Sequence, residues 1–464
     1  MDPFPRGLAP YPLRATPRKA GTPLLFWAGV VAVAVQLTFS SQVLSTLGYT
    51  GKIHPATFLL TACAIYAIAR GTIPLHHRLR ETPALILFVF GIPAVMLYSI
   101  YFVGFQGSTV FVETFWSAGL LALLLEPASI RQKRLLGGIL IALVAGNVLV
   151  GLYESVTHVE LFPLSFGDDA PDAAAEVVDD FRAHAFFIHP LTASVVTSMA
   201  IFLLYQMRLR LMLAGPLFIL MLLGLLAFGG RTALGVTTVV SLGAAAYVLI
   251  SGILNRRLSL GFVLTLLTAV VIIPAVFALI ASQTTIADRI IHNFYYDDSA
   301  AVRATQWDIF NHLTLKDWLF GIPKEQLNNL KYQIGLGDRD TDIENCWILL
   351  LLDLGAIGFA CFVTLFGGFL VHLARHANTL NGWLLAGSVL VIDSTSNSLG
   401  VWTNDLLIEV AFMIAIAGFG ERRRVPWMQQ RVQVRLPMAR RATGAPGGLM
   451  LIPGPMRETN LRAL

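Results

Sequence analysis

Long apolar runs separated by mostly short polar links constrain the fold of this chain more than any other feature. The runs recur between residues 24 and 420, and several exceed the roughly 20 residues that an α-helix needs to cross a bilayer. Hydrophobic residues make up 56% of the 464 residues and charged residues only 13%, whereas soluble domains carry about a quarter charged residues. The composition therefore argues against a water-soluble protein and predicts one polytopic membrane domain.

Apolar length and flanking charge predict twelve membrane-spanning helices. The predicted spans are residues 24–45, 56–70, 83–104, 109–126, 135–155, 185–206, 211–229, 232–254, 261–282, 346–373, 383–402 and 405–420. The predicted fold class is all-α integral membrane, with about 12 transmembrane helices and a large helical loop between the ninth and tenth spans. The predicted domains are a tail of residues 1–22, a membrane domain of residues 23–420, and a basic, flexible tail of residues 421–464.

The basic residues predict the orientation of these spans. With both termini in the cytoplasm, the inside segments hold 24 of the 33 Lys and Arg residues, and every short inside link is basic, as the positive-inside rule requires. Of the other nine, only Lys52 and Arg231 lie in short outer links. Since the basic residues lie beside spans, the net charge of +5 does not indicate nucleic-acid binding. The orientation places residues 155–184 and 283–344 outside.

The outer segment of residues 283–344 is the largest polar insertion between spans, and we expect it to serve the function. An amphipathic helix is predicted for residues 300–315, with Val302, Ile309, Phe310 and Leu313 as apolar positions. Leu327, Leu330 and Ile334 predict a second helix, which Gly335 and Gly337 would end. Such helices would lie on the membrane surface over a cavity.

Three arginines on the outer side are candidate anion ligands. Arg231 follows two glycines in a tight turn, where its guanidinium either reaches the outer headgroups or binds a phosphate at the floor of a cavity. Arg182 either forms a surface ion pair with Asp179 or Asp180 or contributes to the same site. Arg303 lies either on a solvated helix face or beside the same anion as a second cation.

Other polar residues near spans also allow two interpretations each. His189 precedes a proline in an apolar run and is either a packing residue or part of the cavity wall. Glu344 either caps the helix that follows it or acts as a general base. Asp393 lies within a predicted span, where it either belongs to a structural hydrogen-bond network between helices or forms part of a functional site. Glu154 is a weaker case of the same kind.

Metal and nucleotide chemistry find no support in the sequence. It contains no HExxH motif, no phosphate-binding loop of the Walker type and no cluster with metal-ligand spacing. The three cysteines, Cys63, Cys346 and Cys361, lie in or beside apolar runs and are predicted to be packing residues. We therefore expect neither a metal nor another cofactor.

Several short motifs occur in an order that resembles a known family. The motifs are Arg182 to Pro190, Gly230-Arg231, Arg303 to Trp307, Leu319-Phe320-Gly321, Asn345-Cys346-Trp347-Ile348 and Leu354-Gly355-Ala356-Ile357-Gly358. Together with the large outer loop, they resemble the O-antigen polymerase and O-antigen ligase superfamily of bacterial membrane glycan enzymes. The resemblance covers roughly residues 140–420 and implies a fold like that of the GT-C glycosyltransferases.

The resemblance implies a glycan donor carried on undecaprenyl pyrophosphate. Arg231 and Arg303 would be catalytic residues that contact the pyrophosphate and neutralise its developing charge. Glu344 would be a catalytic residue that deprotonates or orients the acceptor hydroxyl. The implied substrate-binding residues are Arg182, His184, His189, Trp307 and Asn345. The candidate stacking platforms for sugars are Trp307, Tyr295 or Tyr296. Ligases commonly carry a histidine where this chain has Glu344, so the departure favours a polymerase.

The same resemblance implies a location and partners. The protein would lie in the bacterial inner membrane with both termini cytoplasmic, and its active site would face the periplasm. A chain-length regulator and a flippase are expected partners, with no nucleic acid. The alternatives are a ligase that transfers the glycan to lipid A-core, a secondary transporter with a central site near Asp393, and a non-catalytic scaffold or sensor. Against a transporter, the sequence shows no two-half repeat.

Overall fold

The computed structural model describes most of the predicted membrane domain. Its described residues are 23–49, 51, 53–105, 107–162, 181–187, 189–207, 209–254, 305–335, 343, 345–377, 379–396 and 405–420. Within them the chain is helical and contains no strand. The two predicted tails and the ninth predicted span, residues 261–282, lie outside this part of the chain.

Fifteen α-helices, one π-helix and one 3-10 helix make up the described structure. The first seven α-helices are α1 (Pro23–Thr38), α2 (Ser41–Thr46), α3 (Pro55–Ala69), α4 (Leu75–Glu81), α5 (Pro83–Phe102), α6 (Ser117–Leu125) and α7 (Ile130–Thr157). They are followed by α8 (Pro190–Gln206), α9 (Leu211–Phe228), α10 (Arg231–Leu254), α11 (Leu315–Phe320), α12 (Lys324–Gln333), α13 (Cys346–Ala377), α14 (Leu380–Ser396) and α15 (Asp405–Ala417). The π-helix Phe111–Trp116 leads into α6, and the 3-10 helix Gln306–His312 precedes α11.

Three described helices, α5, α7 and α13, are long and apolar enough to cross a membrane, with 20, 28 and 32 residues. Shorter apolar helices accompany them, and every predicted span except residues 261–282 overlaps a described helix. Large apolar side chains such as Leu97 and Tyr101 on α5 are exposed, which suits contact with lipid. The all-helical class and the apolar helices agree with a membrane protein, while the number of twelve spans stays a prediction.

Helix α15 lies at the centre of the bundle. It packs against α6, α7, α8, α13 and α14, and every residue from Asp405 to Ile416 is buried. A helix with apolar residues on nearly all sides is typically buried within a bundle, because every face then contacts other helices. Its carboxylate residues Asp405 and Glu409 are therefore buried with it.

The bundle has two ends, which α7 connects over about 42 Å at 1.5 Å per residue. At one end, Lys133 Nζ lies 2.9 Å from His376 Nε2, and Arg134 Nε donates to the Gly418 carbonyl oxygen at 2.8 Å. We call this the basic end; the predicted orientation makes it cytoplasmic. At the other end, Glu154 contacts the segment of residues 181–187 that precedes α8.

A buried ion cluster joins three segments at the basic end. Arg78 Nη1 donates to Glu126 Oε2 at 2.8 Å, and His372 Nε2 and His376 Nδ1 lie 3.6 and 3.7 Å from Oε1. The Glu126 side chain is only 3% exposed. Burial alone would raise the pKa of Glu126, but the neighbouring His372 and the charges of Arg78 and His376 outweigh it and hold that pKa below its ordinary value.

We expect Glu126→Gln to destabilise the protein by about 3–5 kcal/mol, since Arg78 would stay buried without its counter-charge. Because the pKa of Glu126 is lowered in the folded state, its stabilisation is complete above the ordinary pKa of 4.5 and is lost as the pH falls through the lowered value. Thermal unfolding in detergent between pH 3 and pH 7 measures both effects. Glu81→Gln, at a partly exposed pair with His77, is the control; equal unfolding temperatures for Glu126→Gln and wild type at pH 7 would contradict this role.

Two glycines attach the outer loop to α5 and α13. The backbone of α13 is interrupted at Gly355, with φ 60° and ψ 175°, and the freed carbonyl of Leu352 accepts the Ile322 N–H at 2.8 Å. Gly321, with φ 92° and ψ 174°, lies against this interruption. The Phe320 ring stacks on Phe102 of α5 with 4.7 Å between centroids. Two motifs of the family resemblance, 319–321 and 354–358, thus meet in space.

A separate apolar cluster supports the loop above the N-terminal part of α13. Its buried members are Ile309, Ile322, Leu327, Leu330, Ile343, Ile348, Leu349 and Leu352. The predicted second loop helix is confirmed as α12, and Gly335 follows it at φ 77°. The predicted first helix, residues 300–315, is wrong in its described part. Residues 306–312 form a 3-10 helix, and Thr314 starts a new helix because it shares a capping box with Asp317.

Candidate functional site

The turn between α9 and α10 has the sharp reversal that its glycines predict. Gly229 ends α9 in the left-handed conformation at φ 68°, and the Gly230 carbonyl accepts the first hydrogen bond of α10, from Leu234. A Cβ on Gly230 would lie only 2.3 Å from the Cβ of Ser194. Glycine is therefore required for α8 to approach the turn. Helix α10 begins at Arg231, which places the backbone of this predicted ligand at the turn.

Arg182 lies against the same turn. Its Cδ and Cγ are 3.9 and 4.0 Å from where a Cβ on Gly229 would be. The structure thus brings together two predicted ligand positions, Arg182 and Arg231, that are far apart in the chain. Asp179 and Asp180, the predicted partners of Arg182, lie outside the described residues.

Glu154 anchors the segment that carries Arg182. This carboxylate is fully buried and accepts the Ala185 N–H at 2.8 Å and the His184 N–H at 3.2 Å on one oxygen. Its other oxygen accepts the Leu161 N–H at 3.0 Å. Ala185 adopts φ 53°, a conformation that a non-glycine residue keeps only when its surroundings enforce it. Sequence reasoning marked Glu154 only as a carboxylate near a span end; its three donors come from two other segments.

His184 and His189 lie on either side of this strained backbone. The buried His184 ring has its Nε2 3.6 Å from Glu160 Oε1. The prediction that His189 lies within a span is wrong: it precedes α8, and its Nδ1 accepts the Leu191 N–H at 3.2 Å as an N-cap. A proline at the next position favours this start of a helix.

The pKa of His189 is lowered to about 4. Burial of the ring among its neighbours is the largest cause, because it disfavours the imidazolium, and the nearby Arg182 and His184 lower the pKa further. At neutral pH the ring is therefore neutral. Because Nδ1 accepts a hydrogen bond, the proton lies on Nε2 and is available to a substrate oxygen.

A buried hydrogen bond ties the start of α8 to the central helix. Thr192 Oγ1 donates to Asp405 Oδ2 at 2.8 Å, and both residues are buried. Asp405 is the first residue of α15, where a carboxylate also stabilises the helix dipole. The position of His189 and Arg182 relative to the bundle is fixed through this contact and through Glu154.

The loop supplies the remaining described candidates. Asn345 caps α13, since its Oδ1 accepts the Trp347 N–H at 2.9 Å and the Ile348 N–H at 3.3 Å. Asn345 is thus the described cap of α13, and the two interpretations of Glu344 both stay predictions. Glu344 and Arg303 lie outside the described residues, as do Tyr295 and Tyr296 and the side chain of Asp393.

Trp307 belongs to an aromatic row on the loop. Its ring is 5.7 Å from that of Phe310, which lies 5.2 Å from that of Trp318. Trp307 is 60% exposed and Trp318 is 38% exposed. The sequence singled out Trp307 but not Trp318, because only the turn at Leu313 and Thr314 brings the second indole beside the 3-10 helix.

Removing the anchor of the Arg182 segment should weaken the site. Glu154→Ala would leave three backbone N–H groups without their acceptor, which costs about 1–3 kcal/mol for each group that stays buried. We expect higher protease sensitivity of residues 181–187, at unchanged membrane insertion. Glu160→Ala, at a half-buried carboxylate beside the same segment, is the matched control. Protection equal to wild type in Glu154→Ala would contradict the anchoring role.

The site combines the side chain of Arg182 with the N-termini of two helices. Helices α8 and α10 both begin here, and the positive end of each helix dipole favours an anion. Among the described residues, no group of three or more His, Cys, Asp or Glu side chains could hold a metal ion. None of the three cysteines, all of which the structure describes, forms a disulfide. A comparison with protein-family models and one with curated proteins found no match to this chain.

Proposed function

We propose that this protein is a glycosyltransferase of the polymerase type. It joins oligosaccharide repeat units carried on undecaprenyl pyrophosphate, at the periplasmic face of a bacterial inner membrane. The proposal rests on the motif order that resembles the O-antigen polymerase and ligase superfamily. The structural observation that supports it is the packing of Arg182 on Gly229, beside Arg231 at the start of α10.

A lipid diphosphate fits the charges at this end of the bundle. Guanidinium groups bind phosphate oxygens through two parallel hydrogen bonds, and each such charge-assisted bond is about twice as strong as a neutral one. In this proposal Arg182 and Arg231 hold the diphosphate, with Arg303 as a third cation. The neutral His189 adds a donor without adding a charge.

The reaction is a displacement at the anomeric carbon of the donor sugar. A hydroxyl oxygen of the acceptor glycan forms a bond to that carbon, and the bond between the carbon and the phosphate oxygen breaks. The proton of the hydroxyl passes to Glu344 as general base. Undecaprenyl pyrophosphate leaves with the bonding electron pair, and the arginines stabilise the charge that develops on it.

The docked loop gives the glycans a surface. Residues 305–335 are held to α5 and α13 by the two glycines and the apolar cluster. The row of Trp307, Phe310 and Trp318 offers flat apolar faces to sugar rings. Asp308 and Asn311, which are exposed on the same 3-10 helix, offer polar groups for sugar hydroxyls. The donor sugar would lie between this surface and the arginines.

One incubation tests the proposed function against its nearest alternative. Purified protein is supplied with a lipid-linked repeat unit, with and without lipid A-core. We expect longer glycans on the lipid carrier in both mixtures. Transfer that occurs only to lipid A-core would make the protein a ligase, and no transfer in either mixture, with several repeat units tried, would contradict a glycosyltransferase.

Glu344→Gln is expected to lower the rate of polymerisation by about 100-fold or more, the usual contribution of a general base. Donor binding should stay within about twofold of wild type, since an amide replaces a carboxylate that does not hold the diphosphate. Single-turnover rates and donor affinities measure the two effects separately. An unchanged rate would remove the general-base assignment.

A further inference from the structure

A recess opens at the basic end of the bundle, where α13 turns into α14. Its volume is about 500 Å³, and it is lined by Arg375, Thr379, Leu380 and Trp383. None of these four residues is acidic. Since α7 separates this end from the Arg182 site by about 42 Å, the recess has no part in the proposed reaction.

The recess lies at the end of an exposed apolar stripe on α14. The exposed members of the stripe are Leu380, Trp383, Leu390 and Val391. At 100° per residue these four positions fall within an arc of about 100°. Such a stripe on an apolar helix faces acyl chains, and a tryptophan at its end lies at the depth of the lipid headgroups. The recess therefore opens where the phosphates of the bilayer are.

Arg375 is the only charged residue among the four described residues that line the recess. Arg375 is exposed in the last turn of α13, and Lys133 and Arg134 lie at the same end. The nearest acidic residue of the cluster, Glu126, is buried among Arg78, His372 and His376. An anion in the recess would thus meet Arg375 without a competing carboxylate among its lining residues.

Thr379 adds a hydroxyl hydrogen-bond donor. Its Oγ1 accepts the Gly382 N–H at 3.1 Å, which caps α14. The accepted bond leaves the hydroxyl proton able to rotate toward an acceptor such as a phosphate oxygen. An arginine, a hydroxyl donor and an interfacial tryptophan together match the parts of a phospholipid: phosphate, glycerol and the upper acyl chain.

We propose that this recess binds the headgroup of an anionic phospholipid. Arg375 and Thr379 hold the phosphate, and Trp383 packs on the glycerol and the first acyl carbons. Basic pockets between transmembrane helices on the cytoplasmic side bind such headgroups. The bound lipid would close the gap between α13 and α14 and stabilise the contact of His376 with Lys133.

The test measures thermal unfolding of the full-length protein in detergent. Phosphatidylglycerol, phosphatidylcholine or inorganic phosphate is titrated into wild type, Arg375→Gln and Arg131→Gln. The control Arg131 is exposed in the first turn of α7 at the same end, outside the recess. We expect phosphatidylglycerol to raise the unfolding temperature of wild type more than phosphatidylcholine does, because a ligand of the folded state stabilises it.

In Arg375→Gln, about five times more phosphatidylglycerol should be needed to reach half of the maximal rise in unfolding temperature. This factor corresponds to the loss of one basic contact with an anionic lipid, about 1 kcal/mol. Arg131→Gln should behave as wild type. Trp383→Leu should weaken the response to phosphatidylglycerol and leave any response to inorganic phosphate unchanged. An equal response of wild type and Arg375→Gln to phosphatidylglycerol would overturn the proposal. A wild-type response to inorganic phosphate as large as the response to the lipid would assign the site to a free phosphate instead.

Discussion

Replacing Arg231 with alanine is expected to abolish polymer formation while the protein stays folded and inserted in the membrane. Loss of one preorganised donor to a developing oxyanion lowers the rate by about 100–1,000-fold, and here the donor is a cation. Arg231 starts α10 directly after the glycine turn against which Ser194 and Arg182 pack. The variant keeps both glycines, so the turn itself should be unchanged. Polymer yield from a purified lipid-linked donor is the measurement.

Two further variants make the result specific to this guanidinium. Arg231→Lys keeps the charge but loses the planar pair of donors, and we expect about tenfold slower polymerisation. Arg131→Ala removes an exposed arginine at the opposite end and should polymerise as wild type does. Normal chain lengths and yield from Arg231→Ala, with inserted protein at wild-type amounts, would contradict the phosphate-binding role.

Gly355→Ala is expected to detach the outer loop and to inactivate the protein. At φ 60° and ψ 175°, Gly355 occupies a region of backbone space that is essentially restricted to glycine. An added Cβ would also lie 2.5 Å from the Leu319 carbonyl oxygen. Either α13 straightens or the loop moves, and in both cases the hydrogen bond from Ile322 to Leu352 is lost. We expect about 3 kcal/mol or more of local destabilisation.

Hydrogen exchange of residues 305–335 measures this detachment. In Gly355→Ala the amides of α11 and α12 should exchange about 100-fold faster than in wild type or more, the factor that corresponds to about 3 kcal/mol of lost local stability. Gly367→Ala is the matched control, because Gly367 lies in the same helix with open space at the Cβ position. Alanine in a helix interior should stabilise it by up to about 1 kcal/mol. Unchanged exchange in Gly355→Ala would show that the two glycines do not hold the loop.

The sequence predicted those elements whose determinants are local. Helix positions follow apolar length, so each predicted span other than residues 261–282 overlaps a described helix. The reversal at Gly229 and Gly230 follows from glycine alone. Helix α12 was predicted from three apolar positions and a following glycine. Where local signals compete, the prediction was wrong: the capping box at Thr314 ends the helix expected across residues 300–315.

The features that organise the candidate site are long-range and could not be read from the sequence. Glu154 accepts hydrogen bonds from residues on two other segments, and Gly321 meets Gly355 only after the loop folds back on α13. His189 occurs in an apolar run, yet the proline after it starts a helix and leaves the imidazole outside as a cap. Arg182 reaches the Gly229 turn because Glu154 holds its segment there. Spacing along the chain carries none of this information.

Lipid selectivity of the purified protein tests the central claim most directly. Wild type, Arg182→Gln, Arg231→Gln and Arg131→Gln are titrated with undecaprenyl pyrophosphate and with undecaprenyl phosphate. If Arg182 and Arg231 bind one diphosphate, wild type and Arg131→Gln should bind undecaprenyl pyrophosphate at least about tenfold more tightly than undecaprenyl phosphate. This is the factor expected for one additional charge-assisted hydrogen bond. The preference should fall in each of the other two variants. Equal wild-type affinity for the two lipids, or an undiminished preference in both Arg182→Gln and Arg231→Gln, would contradict the account.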